Sequence, residues 1–101
     1  MQKVTMDQIV LALKGCVDPE IGINIVDLGL IHGITIDQSN NITVRLTMTS
    51  PMCPVTSVIL ADIQLRLEHL QDVGQVNIDL VWEPAWTPEM ITEEVRMSMQ
   101  V

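Results

Sequence analysis

The sequence predicts a small two-layer domain of the α+β or α/β class, with the element order αββαβα and one small mixed sheet. Three observations lead there. The apolar residues recur with a helical period in some stretches and alternate strictly in others. Glycine, proline and asparagine punctuate each switch between the two periods. A helix-length stretch also stands between two alternating stretches, which is the pattern of a strand–helix–strand crossover.

Thr5-Met6-Asp7-Gln8 has the form of a capping box, and Val4 and Ile9 take the positions of a hydrophobic staple around it. Met6, Ile9, Val10 and Leu13 continue as one apolar stripe, and Gly15 ends it, predicting a helix over 6–14. Residues 16–27 include Pro19 and Gly22 and show no period, so they read as an ordered loop. From Leu28 the pattern alternates: Leu28, Leu30, Ile34 and Ile36 on one phase, Gly29, Gly33, Thr35 and Asp37 on the other. Gln38-Ser39-Asn40-Asn41 is turn chemistry. Ile42, Val44, Leu46 and Met48 then alternate with Thr43, Arg45 and Thr47, completing a β-hairpin.

Thr49-Ser50-Pro51-Met52-Cys53-Pro54 breaks the second strand. Pro54 suits the first turn of a helix, which places Cys53 at the N-cap. Val55, Ile59, Ile63, Leu67 and Leu70 follow at spacings of three and four, and Asp62 can pair with Arg66, so a helix is predicted over 54–70. Gly74 restarts the chain as a third strand, with Val76, Ile78, Leu80 and Trp82 inward and Asn77 and Asp79 outward. Glu83-Pro84-Ala85-Trp86 interrupts pairing because proline lacks an N–H. Trp82 and Trp86 flank that turn, where they would clamp the last element onto the sheet. Thr87-Pro88-Glu89 opens a final helix, with Thr as N-cap and Pro at N1. With no repeat or linker in view, residues 1–101 read as a single domain.

Composition narrows the function. Of 101 residues 48% are apolar, enough for a core, and five Lys+Arg face 13 Asp+Glu for a net charge of −8. Duplex nucleic acid and anionic membranes bind through basic residues and would repel this chain. With two Trp and no Phe or Tyr, it also lacks the stacking platforms that hold single strands. The first residues show no signal-peptide core, and no apolar run reaches the ~20 residues of a membrane span. Two cysteines outside any CxxC pair are expected to be reduced, which fits a cytoplasmic location, and they are too few for a self-contained zinc or cluster site.

A right-handed crossover makes the third strand parallel to the second, so three segments should meet at one edge: the 51–54 loop, the 83–86 turn and the 18–27 loop. Sites in open sheets gather beyond the carboxyl ends of parallel strands, and Cys53 stands in the middle of this convergence. Backbone N–H groups at a helix start favour a thiolate there. Asp18, Glu20, Asp27 and Glu83 oppose it. Cys53 is equally readable as a small buried hydrophobe, and Cys16 reads as inert packing. Asp18-Pro19-Glu20 also makes an ordinary turn, and Asp27 can serve as a local backbone acceptor. His32 falls on the apolar phase of the first strand, where it reads as a satisfied inward side chain. His69 lies at a helix end, where it complements the dipole. No triad, P-loop, dinucleotide fingerprint or HExxH is present, and the expectation is a protein that is not an enzyme.

Four stretches, Asp18-Pro19-Glu20, Asn24-Ile25-Val26-Asp27-Leu28-Gly29-Leu30, Thr49-Ser50-Pro51-Met52-Cys53-Pro54 and Val81-Trp82-Glu83-Pro84-Ala85-Trp86-Thr87-Pro88, resemble in order and spacing the SufT/PaaD-like family. The resemblance spans nearly the whole chain. It departs at His32, where an aromatic is frequent, at Pro51-Met52, where Gly often precedes the cysteine, and at Ala85, where Pro is common.

The resemblance implies an accessory factor that helps assemble iron–sulfur clusters or deliver them to apo-proteins, with an assembly scaffold or apo-target as partner. Homodimerisation is a further expectation. The family's reactive cysteine maps onto Cys53 and its acidic motif onto Asp18, Glu20 and Asp27, with Thr49, Pro54, Trp82, Glu83 and Trp86 bordering the same edge. The PaaD branch, tied to a phenylacetyl-CoA oxygenating system, typically adds a cysteine-rich C-terminal segment. None follows here, so the SufT-like branch is expected. No cofactor is expected to be permanently bound; a labile iron–sulfur cluster, transiently ligated by Cys53, is. One thiolate falls short of the four that such a cluster wants. Two rival readings are a metal-free interaction module with an acidic docking edge, and a thiol enzyme using Cys53 with His32 as base.

Overall fold

The computed structural model describes residues 3–49 and 54–93. The chain folds as α1 (Met6–Leu13), β1 (Ile31–Ile36), β2 (Ile42–Leu46), α2 (Thr56–Glu68) and β3 (Val76–Leu80), followed by a 3₁₀ turn (Pro88–Met90). The sheet order is β1-β2-β3, with β1 antiparallel to β2 and β3 parallel to it. The predicted α+β architecture and mixed sheet are therefore present.

Each element grows from local chemistry. The Thr5 hydroxyl accepts from the Gln8 N–H at 3.2 Å, and the Gln8 side chain accepts from the Thr5 N–H at 2.9 Å. This is the capping box read from sequence, and Val4 and Ile9 are buried beside it. In the hairpin turn the Asp37 carboxylate accepts from the N–H groups of Ser39 and Asn41 and from the Asn41 side chain. Those bonds, the Asn41 side chain first, hold Asp37 below the usual carboxylate range. Asn40 takes φ +60° and is fully buried. Its side chain accepts from the Val4 N–H and donates to the Asp72 carbonyl, tying the start of α1 and the α2–β3 loop to the hairpin.

The core forms on one face of the sheet. Ile42, Val44 and Leu46 of β2 bury against Ile9 and Leu13 of α1, Ile59, Ile63 and Leu67 of α2, and Ile25, Leu28 and Leu30 of the loop before β1. Arg45 and Asp79 stand exposed and pair at 3.7 Å, and Arg66 pairs with Asp62 at 3.0 Å on α2.

Several sequence expectations are corrected. The first strand begins at Ile31 and not at Leu28, because residues 25–29 form a helical turn closed by a Schellman motif. The Leu30 N–H reaches the Ile25 carbonyl and the Gly29 N–H the Val26 carbonyl, with Gly29 at φ +79°. The register then shifts between Ile31 and Gly33, so His32 sits in a bulge. The second strand stops at Leu46, although Thr47 and Met48 remain buried.

The second helix begins at Thr56 with Val55 as its N-cap, so Cys53 is not the cap and Pro54 is not N1. The first helical bond runs from the Ile59 N–H to the Val55 carbonyl. Pro54 stands in the turn before it. Trp82 does not continue the inward row of β3: it lies beyond the last strand residue and is 42% exposed. The final segment opens as a single 3₁₀ turn, with Pro88 at its start and no capping bond from the Thr87 side chain. The rest of the predicted last helix, from residue 94, lies outside the described residues. Among the described residues no helix is long and apolar enough to cross a membrane.

Candidate functional site

Hydrogen bonds tie the exits of β2 and β3 and the chain after β3 to residues 27–30, whereas residues 51–53 of the predicted convergence lie outside the described residues. At the carboxyl end of β2 the Thr47 N–H donates to the Leu30 carbonyl, and the Val81 N–H donates to the Leu46 carbonyl. These bonds place the exits of β2 and β3 beside the turn that leads into β1. The Trp86 indole N–H then donates to the Leu28 carbonyl at 2.6 Å, and the Thr92 N–H donates to the Asp27 carbonyl at 2.8 Å. The chain after β3 is thus strapped across residues 27–29. Trp86 ties this strap to the turn before β1 and not to the sheet, and Trp82 is exposed.

The acidic residues are placed differently from one another. Asp18 is 1% exposed, and its Oδ1 accepts from the N–H groups of Glu20 at 2.9 Å and Ile21 at 3.3 Å. Its carboxylate therefore shapes the 18–22 loop from inside. Glu20 and Glu83 are exposed, and Asp27 is half-buried. Thr49 is half-buried just past β2, and Pro54 is exposed before α2. Cys53, the predicted functional thiol, lies outside the described residues. Among the described residues no three His, Cys, Asp or Glu side chains group closely enough to hold a metal ion.

Asn24 organises the acidic turn and was not singled out from sequence. Its Oδ1 accepts from the N–H groups of Val26 and Asp27, while its Nδ2 donates to Asp27 Oδ2 at 2.7 Å. The signal was available in the Asn-x-x-Asp spacing, since an Asx side chain caps the turn that follows it. Thr47 and His32 were also missed as polar problems. Thr47 is 1% exposed, and neither its hydroxyl nor the buried His32 Nε2 finds a hydrogen-bond partner among the described residues. The expectation of a satisfied His32 is corrected, since its buried Nε2 has no hydrogen-bond partner among the described residues. His69 forms the C-cap of α2, and its Nδ1 donates to the Leu65 carbonyl at 2.6 Å, in keeping with its expected helix-end role.

Cys16 is inert packing, as read from sequence. Its thiol is 1% exposed. Burial first, then the neighbouring Asp62 charge, pushes its pKa up to about 12, against the opposing Arg66 guanidinium. The folded-state pKa lies above the unfolded value, so this contribution to stability is intact below about pH 9 and is lost as pH rises toward 12. Iodoacetamide at pH 8 is expected to leave Cys16 unmodified in the native protein and to label it after denaturation. Mass spectrometry locates the adduct, and native labelling of Cys16 at the denatured rate would contradict the packing described.

A fold with this mixed sheet and strapped edge has known relatives. The model of the family described as "Iron-sulfur cluster assembly protein" matches residues 6–79, and the chain belongs to that family. It is 37% identical over 95 residues to the Fe-S protein maturation auxiliary factor of Porphyromonas gingivalis, covering 94% of this chain and 90% of that one. It is 32% identical over 85 residues to the Fe-S protein maturation auxiliary factor SufT of Staphylococcus aureus, covering 84% of this chain and 97% of that one. Among solved structures, a conserved hypothetical protein of Thermotoga maritima superposes with a TM-score of 0.87 at 40% identity, over 100% of this chain and 99% of that one. The SufT-like resemblance read from the four motifs is borne out.

Proposed function

We propose that this protein is a single-domain accessory factor of iron–sulfur protein maturation, acting through the Cys53 thiol at the strapped edge of the sheet. The observation that carries the reading is the convergence itself. The exits of β2 and β3, the Asn24-capped turn and the strap are tied together at one end of the sheet, and in the sequence Cys53 lies between the exit of β2 and the start of α2. Membership of the family and the maturation-factor names of its relatives support the role. They also agree with an auxiliary protein and not a catalyst.

The cluster is cargo in this reading. A single thiolate supplies one of the four ligands that a cluster takes, so the other ligands come from a scaffold, an apo-target, a second copy of this chain or a small thiol. Incomplete ligation suits a hand-over role, because a cluster held by four fixed ligands would have to break all of them to leave. Cys16, buried and protonated, is unsuited to supply a second. Asp18 and Asn24 hold the flanking loop in shape, and Glu20, Asp27 and Glu83 border the edge with negative charge. Nothing in this arrangement requires nucleic acid or a membrane.

Anaerobic iron–sulfide reconstitution tests the reading. The wild type is expected to develop sulfide-to-iron charge-transfer absorbance that chelators bleach readily, in particles of more than one chain by light scattering. Cys53→Ser is expected to remain colourless and Cys16→Ser to behave as wild type. Matching spectra from wild type and Cys53→Ser would remove the thiol from the mechanism.

A further inference from the structure

The two tryptophans, four residues apart, have opposite fates. Trp86 spends its indole N–H on the Leu28 carbonyl and packs against the core. Trp82 is 42% exposed, and Glu83, Pro84 and Ala85 after it are exposed as well. Residues 82–85 are nonetheless held at both ends, by the Val81 N–H on the Leu46 carbonyl at 2.8 Å and by the Trp86 indole at 2.6 Å. Part of an indole is thus presented to solvent on a pinned strap, which lowers the ordering cost of binding. Tryptophans in such settings are enriched among the residues that dominate interface energy.

Charge selects the occupant. The chain has no Lys or Arg between Arg66 and Arg96, while Asp and Glu recur throughout that stretch. Glu83 adjoins Trp82 directly, and Glu93 is exposed at the end of the strap. Among the described cations, Arg45 is held by Asp79 and Arg66 by Asp62, Lys3 donates to the Asp37 carbonyl at the hairpin, and Lys14 is exposed at the end of α1, which its backbone N–H caps. A second copy docking here would bring like charges together in a chain of net charge −8. A guanidinium or ammonium gains twice, from the indole face and from the adjacent carboxylate.

We propose that residues 81–85 form a docking surface for an arginine- or lysine-bearing segment of a partner protein, with Trp82 as the anchor. The choice of a protein as the partner rests on the maturation-factor reading; the surface itself does not involve Cys53. Binding then orients a partner against the edge from which a cluster would be passed, which separates recognition from cluster handling.

The test titrates the full-length protein with the peptide acetyl-Gly-Arg-Gly-Arg-Gly-amide, and with its Glu-for-Arg counterpart, following tryptophan emission and backbone amide shifts. The Arg peptide is expected to bind saturably, with shifts centred on residues 81–85 and weakening as salt is added. Trp82→Ala is expected to weaken binding about threefold to tenfold, the range of an exposed cation–π contact with some desolvation. Trp82→Phe retains part of the affinity, and Glu83→Gln loses a few-fold. Because Trp82 is exposed, these variants should fold, and circular dichroism checks that they do. Equal affinity in wild type and Trp82→Ala, equal binding of the Glu peptide, or no saturable binding of the Arg peptide would each overturn the proposal. Cys53→Ser should bind the peptide like wild type, so loss of peptide binding and loss of the thiol mechanism are separately observable.

Discussion

Gly29→Ala is expected to lower the melting temperature by roughly 8–40 °C and by clearly more than Gly22→Ala, for which backbone strain alone corresponds to roughly 4–16 °C. Both glycines take left-handed backbone, at φ +79° and φ +82°. An alanine pays about 1–2 kcal/mol for that conformation at either position. The difference lies in what surrounds them. Nothing lies within 4 Å of a Cβ built at position 22, whereas one built at Gly29 overlaps the Met90 carbonyl oxygen and stands 2.7 Å from the carbonyl carbon.

Those are backbone atoms of the 3₁₀ turn, itself held by the Thr92 and Trp86 bonds to residues 27 and 28. The strap must therefore move or the turn must unwind, adding the 1–3 kcal/mol typical of overpacking. A total on the order of 2–5 kcal/mol is a large share of the ~5–15 kcal/mol that stabilises a domain of this size, and each kcal/mol shifts its melting by roughly 4–8 °C. Differential scanning calorimetry on the two variants makes the comparison. Equal shifts would show that the strap does not press on Gly29 as described.

That same glycine explains why the start of β1 was misplaced from sequence. Leu28 and Leu30 alternate with Gly29 and Ile31 as strand residues do, and both are buried. A Schellman closure also buries the residue after its glycine, against the residue five positions earlier, here Leu30 and Ile25. Two different backbone geometries thus write the same short apolar pattern, and only the Asn24 cap upstream distinguishes them.

What was legible was chemistry that acts over three or four residues. The Thr5–Gln8 box, the Gln38–Asn41 turn and the Asp62–Arg66 pair all formed as read, with Asp37 as the acceptor that the turn adds. What was not legible depended on distant partners. Trp82 continues the period of β3, but the strand ends at Leu80 because the following chain turns toward residues 27–29. The N-cap of α2 fell at Val55 because Pro54 is spent in the preceding turn. The sharing of one edge by the exits of β2 and β3 was legible, since the crossover rule and the hairpin together fix which strand ends lie side by side. Which acid faces solvent and which turns inward was not. Asp18 and Glu20 are two residues apart in one motif, yet one carboxylate is spent on backbone N–H groups and the other is exposed.

The inward turn of Asp18 has a consequence for the site's electrostatics. A carboxylate engaged by two N–H groups presents less negative potential to its surroundings than a free one. In the proposed site the bordering charge would therefore come from Glu20, Asp27 and Glu83. Removing any of these is expected to change partner association more than stability, because rim charges act on encounter and salt dependence.

The proposed function stands or falls with the Cys53 thiol as the group that acts in cluster maturation. The most direct measurement is made in cells lacking the endogenous protein, supplied with wild type, Cys53→Ala or Cys16→Ala at matched protein levels, reading the activity of a cluster-dependent enzyme such as aconitase. Cys53→Ala is expected to fall to the level of the empty vector, and Cys16→Ala to follow wild type once its abundance is matched. Full aconitase activity with Cys53→Ala at wild-type abundance would contradict the account.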